Sequence, residues 1–168
     1  MGFAIVCGMY SARSIANSML SIARESGDEL TNMELQKLVY FAHGWYLALT
    51  GDPLLEEAVK AWNFGPVIPP LYNRLKRYGN GVVEDYIKEK DPITGEEVAS
   101  PEPQDAYTRS VLLKVWQVYG HMDGVQMSYL THKEGTPWYK TWQKEKYGVI
   151  PNELIRDHFR ELKTSANA

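Results

Sequence analysis

Between Leu30 and Gly51 the sequence specifies a helix at its ends and along its length. Thr31 and Glu34 form a T-x-x-E capping box, in which each side chain satisfies a free backbone N–H of the other residue. Leu30, just before the cap, can staple onto Leu35. Leu35, Leu38, Val39, Ala42, Trp45, Tyr46 and Leu49 then recur as one broad apolar face. Gly51 and Pro53 stop the run. An apolar face this wide is one that other elements of the chain must cover. Lys37, Tyr40 and His43 fall off the stripe and are the polar residues on this helix to test first as partner contacts.

The flanking segments supply those partners. Ser11 can cap a helix carrying Ala12, Ile15, Ala16, Met19, Ile22 and Ala23, which Gly27 ends. Residues 58–64 read as extended. Gly65-Pro66-Val67-Ile68-Pro69-Pro70 follows, and its prolines fix the backbone and remove N–H donors. A short basic helix from Pro70 to Tyr78 comes next, then a turn at Gly79-Asn80-Gly81 and a strand over Val82 to Ile87. Residues 88–104, rich in Glu and Pro, read as a long loop. A helix from Asp105 to Gly120 turns Leu112, Val115, Trp116 and Tyr119 inward. Asp123 and Gln126 form a second capping box, and Thr136-Pro137 caps a helix bearing Trp138 and Trp142. A last helix from Pro151 buries Ile155, Phe159 and Leu162. The expected fold is mainly α: a compact single-domain helical bundle with a short strand or hairpin element around 57–64 and 82–87. It spans residues 9–163, after a disordered leader over residues 1–8 and before a loose tail over 164–168. Met9 is an alternative translation start.

Composition narrows the function. The chain has 168 residues, 18 Lys plus Arg against 21 Asp plus Glu, and a formal net charge of -3. Duplex nucleic acid is a poor partner without a basic excess. A single cysteine, Cys7, rules out an internal disulfide framework and a multi-cysteine metal site, and fits a reducing cytoplasm. No run approaches the roughly 20 apolar residues of a membrane-spanning helix. Residues 1–8 lack the basic start of a signal peptide. Aromatic residues are 12% of the chain, and Trp62, Phe64 and Tyr72 fall on or beside the stiff Gly-Pro segment. A rigid aromatic platform loses little entropy on binding, which suits a protein–protein hot spot.

Catalytic chemistry is not legible. His43, His121, His132 and His158 form no metal-ligand spacing, and His132-x-Glu134 offers only two ligands. There is no G-x-S-x-G, P-loop or G-x-G-x-x-G pattern. No cofactor, metal or enzymatic activity is expected.

Three runs carry a family resemblance. Leu30-Thr31-Asn32-Met33-Glu34-Leu35-Gln36-Lys37-Leu38-Val39-Tyr40-Phe41-Ala42-His43-Gly44-Trp45-Tyr46 resembles the opening signature of the Panacea domain. Ala61-Trp62-Asn63-Phe64-Gly65-Pro66-Val67-Ile68-Pro69-Pro70-Leu71-Tyr72 resembles the second, and Leu130-Thr131-His132-Lys133-Glu134-Gly135-Thr136-Pro137-Trp138 the third. Order and spacing agree from about Met9 to Trp142. This is the antitoxin SocA-like family, also linked to the phage-associated GepA protein. The resemblance implies a bacterial or prophage antitoxin that neutralises a protein toxin by direct binding, with delivery to a protease as a further mode. The alternative is a phage or mobile-element protein that inhibits or redirects a host protein. Residues 1–8 and the loop over 88–104 depart from the family pattern. The candidate partner-binding residues are Lys37, Tyr40, His43, Trp62, Phe64, Gly65, Pro66, Val67, Tyr72, Pro137 and Trp138.

Overall fold

A computed structural model describes residues 9–166. The expectations for a leader over 1–8 and for residues 167–168 lie outside the described residues. Seven α-helices and two small antiparallel ribbons make up the fold. In chain order they are α1 (Ala12–Glu25), α2 (Asn32–Thr50), β1 (Lys60–Trp62), β2 (Gly65–Val67), α3 (Pro69–Leu75), a 3-10 turn (Lys76–Tyr78), β3 (Lys88–Lys90), β4 (Glu97–Ala99), α4 (Ala106–Tyr119), α5 (Gly124–His132), α6 (Pro137–Lys144) and α7 (Asn152–Ala166).

The capping signals act as the sequence specifies. Thr31 and Glu34 close a capping box on α2, Asp123 and Gln126 close another on α5, and Thr136 caps α6 with Pro137 in its first turn. Gly51 ends α2 at φ 79°, a left-handed conformation that costs glycine little.

Helix α2 is the axis of the bundle, packed against α1, α4, α5, α7 and β2. It is therefore buried on almost every side, not along a single stripe. This corrects the expectation for Lys37, Tyr40 and His43, which are all buried despite lying off the stripe. Conversely, Leu49 sits on the stripe and is 44% exposed. Leu162 of α7, expected inside, is also exposed.

Two further expectations change. Residues 82–87 form no strand: Val82 makes an isolated bridge to Thr31, and Ile87 is clamped on N–H and C=O by the buried Asn17. The ribbon lies further on, where Lys88↔Ala99, Glu89↔Val98 and Lys90↔Glu97 pair inside the expected loop. The Asp91 carboxylate accepts the N–H groups of Ile93 and Thr94 and folds its turn. Both strands are largely solvated, so they carry no apolar alternation for a sequence pattern to detect. Helix α7 continues through Ala166, past the expected end at residue 163.

Helix α7 packs tightly on α2 at Gly44, where an added Cβ would overlap the Phe159 ring. Phe159 is itself buried edge-on against Tyr40 and Trp45 and has little room to shift. Alanine is the better helix former in isolation. Gly44→Ala should nonetheless lower the unfolding free energy by about 1–3 kcal/mol through overpacking. Urea denaturation followed by circular dichroism checks this, and a gain in stability would refute the close packing.

Candidate functional site

β1 and β2 form a tight hairpin with register Lys60↔Val67, Ala61↔Pro66 and Trp62↔Gly65. Its turn is Asn63-Phe64, so the expected extended segment is shifted and folds back on itself. Pro66 has no N–H to donate, which an edge position in a two-stranded ribbon tolerates. The outer edge of β1 is covered: Ala61 N–H donates to Gly148 O at 2.9 Å, and Tyr147 N–H to Ala61 O at 2.9 Å.

Side chains from three helices then hold the hairpin's main chain. Trp138 Nε1 donates to Trp62 O at 2.7 Å, and Ser128 Oγ to Phe64 O at 2.8 Å. Lys37 Nζ donates to Pro66 O at 3.3 Å, and Ile68 N–H to Gln36 Oε1 at 3.1 Å. The His132 ring lies against Trp138 at a centroid distance of 4.0 Å. It faces Asn63 O with Nε2 at 3.1 Å and Ser128 O with Nδ1 at 2.6 Å. In either neutral tautomer one of these bonds is made. The three sequence signatures therefore meet in space: helices α2, α5 and α6 anchor four consecutive-region carbonyls of the hairpin.

Gly65 is where they come closest. Its φ of 113° belongs to glycine, and a Cβ there would lie 2.7 Å from Lys37 Cε and 2.8 Å from Thr131 Oγ1. Pro66 and Val67 are buried beside it. Trp62 is half-buried with its ring edge-on to half-buried Tyr72 at 5.0 Å. Phe64 at the turn is 64% exposed and Tyr147 57% exposed. Together with Met33, Lys37, Trp62 and Tyr72 they line an open cleft of about 420 Å³. Of the candidate residues, Lys37, Trp62, Phe64, Val67 and Tyr72 line this cleft, while Gly65, Pro66, Pro137 and Trp138 build its support.

Tyr40 and His43 lie elsewhere. Tyr40 packs between Phe41 and Phe159, each 5.8 Å away, and burial raises its hydroxyl pKa. His43 joins three elements: Nδ1 accepts Leu55 N–H at 3.3 Å, and Nε2 donates to Asn152 Oδ1 at 3.0 Å, at the start of α7. Gln36, Ser128, Met33 and Tyr147 were not singled out by sequence reasoning. Ser128 and His132 did share a signal, being one turn apart on α5. Tyr147 had none, since nothing local ties it to Trp62. Among the described residues no three His, Cys, Asp or Glu side chains are placed to hold a metal ion. None of the described helices is long and apolar enough to cross a membrane.

A family model described as antitoxin SocA-like, Panacea domain matches residues 35–139, which contain every side chain that grips the hairpin. The chain belongs to this family. It is 31% identical over 161 residues to Antitoxin SocA of Caulobacter vibrioides (strain NA1000 / CB15N), covering 93% of this chain and 86% of that protein. No solved structure matches. Each of the Panacea signatures thus contributes, in this chain, to immobilising one hairpin, and family membership supports an antitoxin role with a toxin as partner.

Two buried bases make the domain's stability depend on pH. Burial lowers the His43 pKa from 6.5 to about 4, partly offset by Asn152. Protonating Nδ1 would also turn a donor toward the Leu55 N–H. The unfolded chain binds this proton first, so stability is lost as pH falls from 6.5 towards 4, by about 3 kcal/mol in all. Comparing urea midpoints of the protein and His43→Gln across that window should show a flatter slope in the variant.

Lys37 acts in the same sense, in a more alkaline window. Burial alone lowers its pKa from 10.5 to about 8. The unfolded state holds the proton between pH 8 and 10.5, so this group adds stability as pH rises through that window. Below pH 8 its cost is carried in full, at about 3 kcal/mol. Lys37→Met keeps the stem and removes the charge. It should be more stable than the parent at pH 7, and the difference should shrink towards pH 10.5 in the same denaturation assay.

Proposed function

We propose that this protein is an antitoxin that neutralises its toxin by direct contact through the hairpin face. The observation that carries the reading is Phe64: a large aromatic side chain 64% exposed at the tip of a hairpin whose main chain is tied to three helices. An aromatic anchor held rigid before binding loses little further conformational entropy when a partner covers it. Tyr147 and the Trp62–Tyr72 pair extend the same surface. The family model and the curated relative, named as an antitoxin, support the role.

Co-expression with the adjacent reading frame tests it. The chain should bind that product and rescue growth. Phe64→Ala leaves the hairpin's main-chain bonds intact and should change stability by less than about 0.5 kcal/mol. It should weaken toxin binding by about 2 kcal/mol, roughly thirtyfold in Kd, and impair rescue. Unchanged affinity in Phe64→Ala would remove the hairpin tip from the interface. Rescue that persists in protease-deficient hosts marks occlusion, whereas rescue lost there marks delivery to a protease.

A further inference from the structure

The aromatic cleft beside the hairpin has a charged floor that the fold uses only in part. Lys37 is 1% exposed, and its ammonium carries three donors. One is directed to Pro66 O at 3.3 Å. The ion pairs among the described residues are Arg13–Glu89, Arg77–Asp85 and Arg156–Asp157, and none involves Lys37. No acidic residue lines the cleft, although the chain as a whole has a net charge of -3. A second cation, Lys76, stands on its rim with the amides of Asn63 and Asn80. A buried ammonium without a counter-charge costs stability, and one carbonyl at 3.3 Å is modest compensation for it.

We propose that the cleft receives an acidic side chain of a protein partner, its Asp or Glu carboxylate meeting Lys37 beside the Trp62–Tyr72 pair. The carboxylate supplies the missing counter-charge and accepts the unused ammonium protons. Trp62, Tyr72, Met33 and Phe64 cover the apolar residues on either side of it. A volume of about 420 Å³ exceeds a lone carboxylate and suits a side chain with its flanking segment. A nucleic-acid backbone would need a longer basic track than Lys37 and Lys76 offer. This assignment rests on the reading that the hairpin face meets a protein, and it names the chemistry of the group received there.

The test uses the full chain and a blocked Ala-Leu-Glu-Leu-Ala peptide, with its glutamine counterpart as control. Calorimetry gives affinity, and the side-chain Cε and Nζ resonances of Lys37 report contact. The glutamate peptide should bind at least about tenfold more tightly than the glutamine peptide and shift the Lys37 resonances. Lys37→Met should abolish that preference, and Phe64→Ala should weaken both peptides alike. Equal affinity for the two peptides, a preference that survives in Lys37→Met, or no binding of either overturns the assignment. So does inorganic phosphate at equal concentration displacing the glutamate peptide, which would mark a phosphate site. Should the peptides not discriminate while Phe64→Ala still impairs toxin binding, the carboxylate site falls and the contact face stands. Should Phe64→Ala leave toxin binding intact while the Lys37-dependent preference holds, the contact face falls and the carboxylate site stands.

Discussion

The contact between the Lys37 side chain and the backbone of Gly65 and Pro66 fixes the relation of α2 to the hairpin. It brings a long cation from the axis of the bundle under a ribbon of six residues plus its turn. The close approach admits no Cβ, so the hairpin can sit against α2 only with glycine at 65. Once it does, the carbonyls of Trp62, Asn63, Phe64 and Pro66 face side chains of α2, α5 and α6. A two-stranded ribbon is marginal alone in water. Here it is held by side chains on capped helices.

That arrangement separates rigidity from display. The residues that fix the ribbon are buried or half-buried, whereas Phe64 and Tyr147 remain open to solvent beside the Trp62–Tyr72 pair. A binding module gains from this division, because its exposed aromatic groups are ordered before a partner arrives. Lys37 belongs to both parts: its Cε and Nζ pack against the hairpin, and the residue lines the cleft. Its burial penalises the charged form, the sort of local cost that stable folds keep at functional positions.

Much of the candidate site was legible one segment at a time. Gly65-Pro66 marked a special backbone, and Trp62, Phe64 and Tyr72 marked aromatic density beside it. The helices and their caps followed from local rules that act within four residues. Lys37, Tyr40 and His43 read differently, because a helical wheel gives the polar side of a helix but not whether that side meets water. Helix α2 is surrounded, so a lysine, a tyrosine and a histidine off its stripe became a cleft floor, a core ring and a three-way clamp. The β3–β4 ribbon was hidden for a related reason: solvated strands have no apolar alternation.

The sequence by itself determined the capped helices, a mainly α bundle, the stiff glycine-proline run and, through three signatures, the family. Local hydrogen-bonding and backbone restrictions suffice for those. Only the tertiary structure decided that the signatures converge on one hairpin, which aromatic groups face solvent, and that no described residue gives Lys37 a counter-charge. These depend on residues 37, 65, 128 and 138 meeting in space, and on which side of each helix its neighbours cover, neither of which any window of sequence contains.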